Sequence, residues 1–171
     1  MNEQVRQALY LDELAVGMSY TSSEHEMTVA DIKRFATEFD PQPFHLDEEA
    51  ARSSLFGSLA ASGWHTAAVT MKLLTQGGVP IAGGTIGLGG EITWPQPTRP
   101  GDRLQVVSVV TEIRPSKTKP GQGVVTTTSE TKNQNGEVVQ RFVAKVIAFT
   151  REAAQARDAQ KAPASDTATG A

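Results

Sequence analysis

An α+β fold, with a curved antiparallel sheet wrapped around one long central helix, is predicted by three features of the sequence. Residues 57–76 are apolar or small nearly all round, 103–150 carry period-two strands separated by turn signals, and the stretch before 57 carries short capped helices. Helices followed by a run of strands favour an α+β arrangement over a parallel sheet.

The first helix signal is MTVADIKRFATEF. Thr28 is placed as N-cap with Asp31 three residues on, and Met27 and Ile32 are spaced as a hydrophobic staple. Ile32, Phe35, Ala36 and Phe39 then recur at helical spacing. Asp40-Pro41 ends that helix, because a proline disfavours the α conformation of the residue before it. Pro43 is expected to keep the following residues extended, so that Asp40 to His45 forms a stiff loop. Asp47 suits the N-cap of a short helix through Arg52, with Glu48 and Glu49 in its first turn.

Residues 57–76 predict a helix of roughly 30 Å at 1.5 Å per residue. With no acidic residue and one lysine, it is expected to be buried on most of its surface, and Ala60 to Gly63 allow other backbone to come close. The period then changes to two. Strands are predicted over 87–94, over 103–113 with both faces apolar, over 124–132 and over 137–150, the last with Val138, Phe142, Ala144, Val146 and Ala148 to one side. Arg99 to Asp102 is a turn signal, and Asn135-Gly136 marks a hairpin.

At 171 residues the chain has the size of one domain, read as 8–151. Residues 152–171 contain, apart from Pro163, no apolar side chain larger than alanine. Nothing there offsets the entropy of ordering, so they are read as a disordered, alanine-rich tail with a frayed helix near its start.

Composition narrows the function classes. A net charge of −3 gives no general attraction for phosphate polymers, so nucleic-acid binding is not expected. The absence of cysteine removes disulfides, thiolate metal sites and a cysteine nucleophile, and is compatible with a reducing cytoplasm. The N-terminal stretch lacks the pattern of a signal peptide, and no window has the roughly 18 apolar residues of a membrane span. A soluble cytoplasmic protein is the expectation.

The densest chemical signal is Asp40-Pro41-Gln42-Pro43-Phe44-His45. A carboxylate and an imidazole held by two prolines can move protons near neutral pH. From spacing alone, a helix-capping Asp40 and a hydrogen-bonded loop His45 account for the same residues. With three histidines, His25, His45 and His65, and no helical i, i+4 pair, a metal site is not indicated. His25 is read on a solvated strand, and His65 as a buried histidine bonded to backbone. Gly63, lacking Cβ, lets a ligand carbonyl reach a backbone N–H, as in an oxyanion hole, although close packing alone also explains it. Ser62 has no visible histidine–acid relay, and neither a nucleophile elbow nor a nucleotide-binding glycine motif occurs. Arg114, Lys117 and Lys119 form a basic loop that is either solvated or meets ligand phosphates.

Taken together, Phe39-Asp40-Pro41-Gln42-Pro43-Phe44-His45-Leu46-Asp47, Phe56-Gly57, Ala61-Ser62-Gly63-Trp64-His65-Thr66 and Trp94-Pro95-x-Pro97-x-Arg99-Pro100-Gly101-Asp102 resemble the MaoC-like dehydratases, which include the (R)-specific enoyl-CoA hydratases. The likeness spans roughly 8–150. It implies a hot-dog fold, a homodimer or larger homo-oligomer, a coenzyme A thioester as ligand, and no metal or redox cofactor. It assigns Asp40 and His45 to the water and its protons and the Gly63 N–H to the thioester oxygen. Ser62, Trp64, Thr70 and Met71 are expected to contact substrate, with Leu74 also a candidate for the acyl pocket. One position departs from the pattern: where the family's hydratases carry a serine two helical turns after the glycine, this chain has Met71, with Thr70 beside it.

Two other functions fit the same fold. A hot-dog acyl-CoA thioesterase commonly uses a carboxylate in or near the central helix, and 57–76 has none. A non-catalytic acyl-CoA-binding protein would have no need of Asp40 and His45 together.

Overall fold

A computed structural model describes residues 7–161. A 3₁₀ turn, Leu11–Glu13, leads to two short strands, β1 (Ser19–Thr21) and β2 (His25–Glu26). Three helical pieces follow, α1 (Val29–Phe39), α2 (Pro43–Leu46) and α3 (Glu48–Arg52), and then the long helix α4 (Gly63–Gly77). Four strands, β3 (Ile86–Thr93), β4 (Arg103–Pro115), β5 (Gln122–Lys132) and β6 (Val138–Phe149), precede a terminal helix α5 (Arg151–Lys161).

The strands form one antiparallel sheet in the order β1, β4, β5, β6, β3, with β2 also paired to β4. This is the predicted α+β architecture, a curved sheet against a central helix. Leu73 and Val69 of α4 pack with Leu104, Val106 and Val139 of the sheet, and Met27 and Ile32 belong to the same cluster. The staple is therefore part of the core. Thr28 Oγ1 accepts the Asp31 N–H at 3.1 Å and its hydroxyl donates to the Asp31 carboxylate at 2.6 Å.

Several expectations are corrected. The central helix begins at Gly63, not at 57, because Gly57 adopts φ +68° and turns the chain and because Ser62 caps the helix through its side chain. Residues 60–62 run extended into it, with the Ala61 N–H donating to the Thr98 carbonyl at 2.9 Å. Nor is α4 buried all round. His65, Thr66, Val69, Thr70 and Leu73 are buried, whereas Trp64 and Met71 remain partly exposed. Pro43 opens the helical turn α2 rather than extending the chain. Its fixed φ suits a first helical position, where a missing N–H costs nothing. His45 thus sits on a helical turn.

In β4, burial alternates: Leu104, Val106, Ser108 and Val110 point inward, and Gln105, Val107 and Val109 are only half-buried. The sheet covers a core on one face. In β6 the inward set continues from Ala144 to Ala148, and an irregular register at Thr131/Lys132 also buries Val139. Finally, Arg151–Lys161 is helical, at the start of the segment read as a tail, where a frayed helix was expected. Arg151 pairs with Glu13 and lies over the Tyr10 ring, and Arg157 lies over Phe149, so long cationic stems supply the contacts that alanines cannot. Residues 162–171 of the expected tail lie outside the described residues. No described helix is long and apolar enough to cross a membrane.

Candidate active site

Helix α1 ends at Asp40, whose N–H caps the Ala36 carbonyl at 3.0 Å. The predicted capping role is real, and it leaves the carboxylate free to point elsewhere. Three contacts fix it: the Ser62 hydroxyl donates to Oδ2 at 2.6 Å, the Gln42 amide donates to Oδ1 at 2.7 Å, and His45 Nε2 lies 3.5 Å from Oδ2. Burial pushes the Asp40 carboxyl up, but the bonds from Ser62 and Gln42 and the nearby imidazole outweigh it and hold the group below its usual value. Asp40 is therefore ionised at neutral pH.

The His45 side chain is 5% exposed and that of Asp40 18%. His45 Nδ1 sits 2.7 Å from the Ala60 carbonyl oxygen. A carbonyl only accepts, so Nδ1 carries a proton and Nε2 is the ring nitrogen turned toward Asp40. The backbone just before α4 thus selects the tautomer. That backbone is itself anchored: the Arg99 guanidinium donates to the carbonyls of Phe56 at 2.7 Å and Ser58 at 2.8 Å.

Gly63 is the first residue of α4, so its N–H has no carbonyl one turn back, and no acceptor among the described residues pairs with it. A Cβ at this position would come within 2.9 Å of Trp94 Cε2. The glycine is needed for that close approach.

These groups share one cavity of about 380 Å³. Asp40, His45, Gly63 and Trp64 line it, together with Phe44, Phe56, Trp94 and Thr98, and neither lysine nor arginine is among its lining residues. Ser62 is fully buried behind the lining and reaches the cavity through Asp40. Thr70 is not brought here: it is buried and its hydroxyl bonds that of Thr131 at 2.7 Å. Met71 and Leu74 line a separate, nearly filled space of about 30 Å³ between α4 and the sheet. Arg114 pairs with Glu112 on an exposed strand end, and the basic loop does not line the cavity.

His25 lies on β2 as read. His65 differs from its reading, since its Nδ1 finds no partner and its ring stacks flat on Phe35 at 4.6 Å. No described group of His, Asp and Glu is arranged to hold a metal ion. Sequence reasoning missed Gln42, Thr98 and Gln140, which bonds Trp94 from β6. Gln42 lies within the Asp40–His45 run and was open to notice, whereas nothing local marks Gln140.

Comparison with known proteins places the chain in a family. The family model described as MaoC like domain matches residues 13–134. The MaoC-like dehydratase of Rhodospirillum rubrum is 60% identical, with a TM-score of 0.83 over 84% of this chain and 99% of that one. The R-hydratase PhaJ1 of Pseudomonas aeruginosa is 26% identical, with a TM-score of 0.66 over 84% of this chain and 87% of its own. The uncharacterized protein YdeM of Bacillus subtilis is 35% identical over 72% of this chain and 87% of its length. On the strength of the family match and the shared fold, this chain belongs to the MaoC-like domain family, which includes hydratases, and has its hot-dog architecture.

Proposed function

We propose that the protein hydrates 2-enoyl-CoA thioesters reversibly, giving 3-hydroxyacyl-CoA. The observation that carries this reading is the convergence of the Asp40 carboxylate, the Nε2 atom of His45 and an unpaired helix N–H on one largely apolar cavity.

A water hydrogen-bonded at about 2.8 Å to both Asp40 Oδ2 and His45 Nε2 fits the 3.5 Å between them. His45 takes a proton from that water as its oxygen bonds to Cβ. The double-bond electrons move toward the thioester, whose oxygen gains negative charge and is met by the Gly63 N–H and the positive end of α4. The imidazolium, stabilised by Asp40, then delivers its proton to Cα. Asp40 orients the water and His45 carries the proton in both steps. Phe44, Phe56, Trp64 and Trp94 suit an uncharged acyl group, since the cavity lining offers no cation to a second carboxylate.

A homodimer completes the reading. Strand β3 ends the sheet order and, among the described residues, leaves one edge unpaired, with Ile86 and the 56%-exposed Leu88 on it. An apolar free edge of this kind is a template for a second chain.

The test follows the loss of conjugated thioester absorbance with short and medium 2-enoyl-CoA substrates while free CoA is measured in parallel. Absorbance loss without CoA release supports hydration. Stoichiometric CoA release would replace it with a thioesterase, and no turnover on any substrate would favour a binding protein.

A further inference from the structure

Trp94 follows directly on β3 and closes one side of the cavity. Its indole N–H donates to Gln140 Oε1 at 2.9 Å, and its ring occupies the space beside Gly63 into which a Cβ would project, 2.9 Å from Trp94 Cε2. The Trp64 ring meets it edge-on at 5.5 Å. Gln140 is 1% exposed on the inward face of β6, where its neighbours Ala144, Val146 and Ala148 are apolar. A polar side chain in such a column is costly unless bonded, and its oxygen is committed to the indole. Trp94 itself is 40% exposed, so packing alone does not fix its ring.

We infer that Trp94, oriented by Gln140, is a positioning residue for the Gly63 N–H: it fixes the start of α4 and keeps solvent from competing for that donor. The inference rests on the hydratase reading and adds two residues to it. A donor aimed at developing charge is effective when preorganised and shielded from water. Most of the affinity for an acyl-CoA comes from groups remote from the thioester oxygen. Freeing the indole is therefore expected to lower kcat and leave KM nearly unchanged.

Gln140→Met keeps an unbranched chain of similar volume and removes the acceptor. The expected result is a fall in kcat of roughly 10-fold with KM within about twofold. Trp94→Phe, which removes the donor and also trims the cavity wall, lowers kcat similarly and raises KM as well, and its kcat serves as the test if Gln140→Met does not fold. The double variant is no worse than the poorer single one, because both delete the same bond. The chain's two tryptophans, Trp64 and Trp94, give a readout independent of turnover. In a Trp64→Phe background, Gln140→Met shifts the Trp94 emission to the red and raises its quenching by iodide.

Unchanged kcat in Gln140→Met beside an active wild type, additive losses in the double variant, or unchanged emission would each overturn the inference and leave the hydratase reading standing. A wild-type protein inactive on every enoyl thioester would overturn both.

Discussion

The hydroxyl of Ser62 does two jobs at once: it donates to Asp40 Oδ2 at 2.6 Å, and its oxygen accepts the N–H of Trp64 at 3.2 Å. The same atom caps the central helix and holds the carboxylate, so the start of α4 and Asp40 cannot drift apart. Ser62→Ala is expected to lose about 1 kcal/mol of stability from the cap. A hydrogen bond to a charged group contributes about 1.5–3 kcal/mol, so kcat is expected to fall by roughly 10- to 100-fold. Urea denaturation and the hydration assay, run on the same preparation, check both halves.

Asp40→Asn and His45→Gln are each expected to lower turnover by about 10²–10⁴, the range for losing an acid–base group. They should differ in stability. His45→Gln disturbs a buried bond to the Ala60 carbonyl, at a cost of about 1–3 kcal/mol, whereas Asp40→Asn keeps the backbone cap on Ala36. Equal and large losses of Tm in both variants, with activity of the folded fraction intact, would make this pair structural.

Gly63→Ala places a methyl group 2.9 Å from the Trp94 ring. Overpacking of this kind costs about 1–3 kcal/mol. Displacement of the indole should appear as a changed tryptophan emission together with a loss of turnover. Wild-type emission in this variant would mean that the ring does not rest on the helix start.

Stability should rise with pH over the range below about 6.5, the ordinary histidine value. Burial is the main cause lowering the His65 pKa, with the charges of His25 and Arg34 adding to it against the opposing pull of Asp31. Between the folded and unfolded pKa values the unfolded chain binds more protons, so acidification favours unfolding there. His65→Phe retains the stack on Phe35 and removes the titration. Its denaturation midpoint should vary less between pH 5 and pH 8, and a slope equal to that of wild type would assign the effect elsewhere.

Leu88→Lys, on the free edge of β3, is expected to convert the proposed homodimer to a monomer in sedimentation experiments, since a charge on an open edge blocks strand pairing. An unaltered sedimentation coefficient would place the subunit contact on another surface.

Much of the fold was legible because it is written in local periodicity. Thr28, Asp47 and the period-two strands mark their elements within a few residues, and those elements stand where read. The errors fall where local signals compete. The run 57–62 looks helical by composition, but the turn at Gly57 and the Ser62 cap decide the matter, and Pro43 serves equally in an extended loop and at a helix start. The expectation that α4 is buried on most of its surface failed because sequence does not say which side the sheet covers.

For the candidate site, the sequence by itself marked the groups that the proposed reaction uses: Asp40 and His45 are close in the chain and stiffened by prolines, and Gly63 is marked by its missing side chain. Only the tertiary structure decided how they are placed against one another. The tautomer of His45 is set by a carbonyl 15 residues away, the Asp40 carboxylate by a hydroxyl 22 residues away, and the ring over Gly63 by an amide 46 residues beyond Trp94. The same long-range packing buries Thr70 and sends Met71 to a different space. Such contacts have no sequence period, because they exist only once the sheet has closed on the helix and brought distant residues within hydrogen-bonding range.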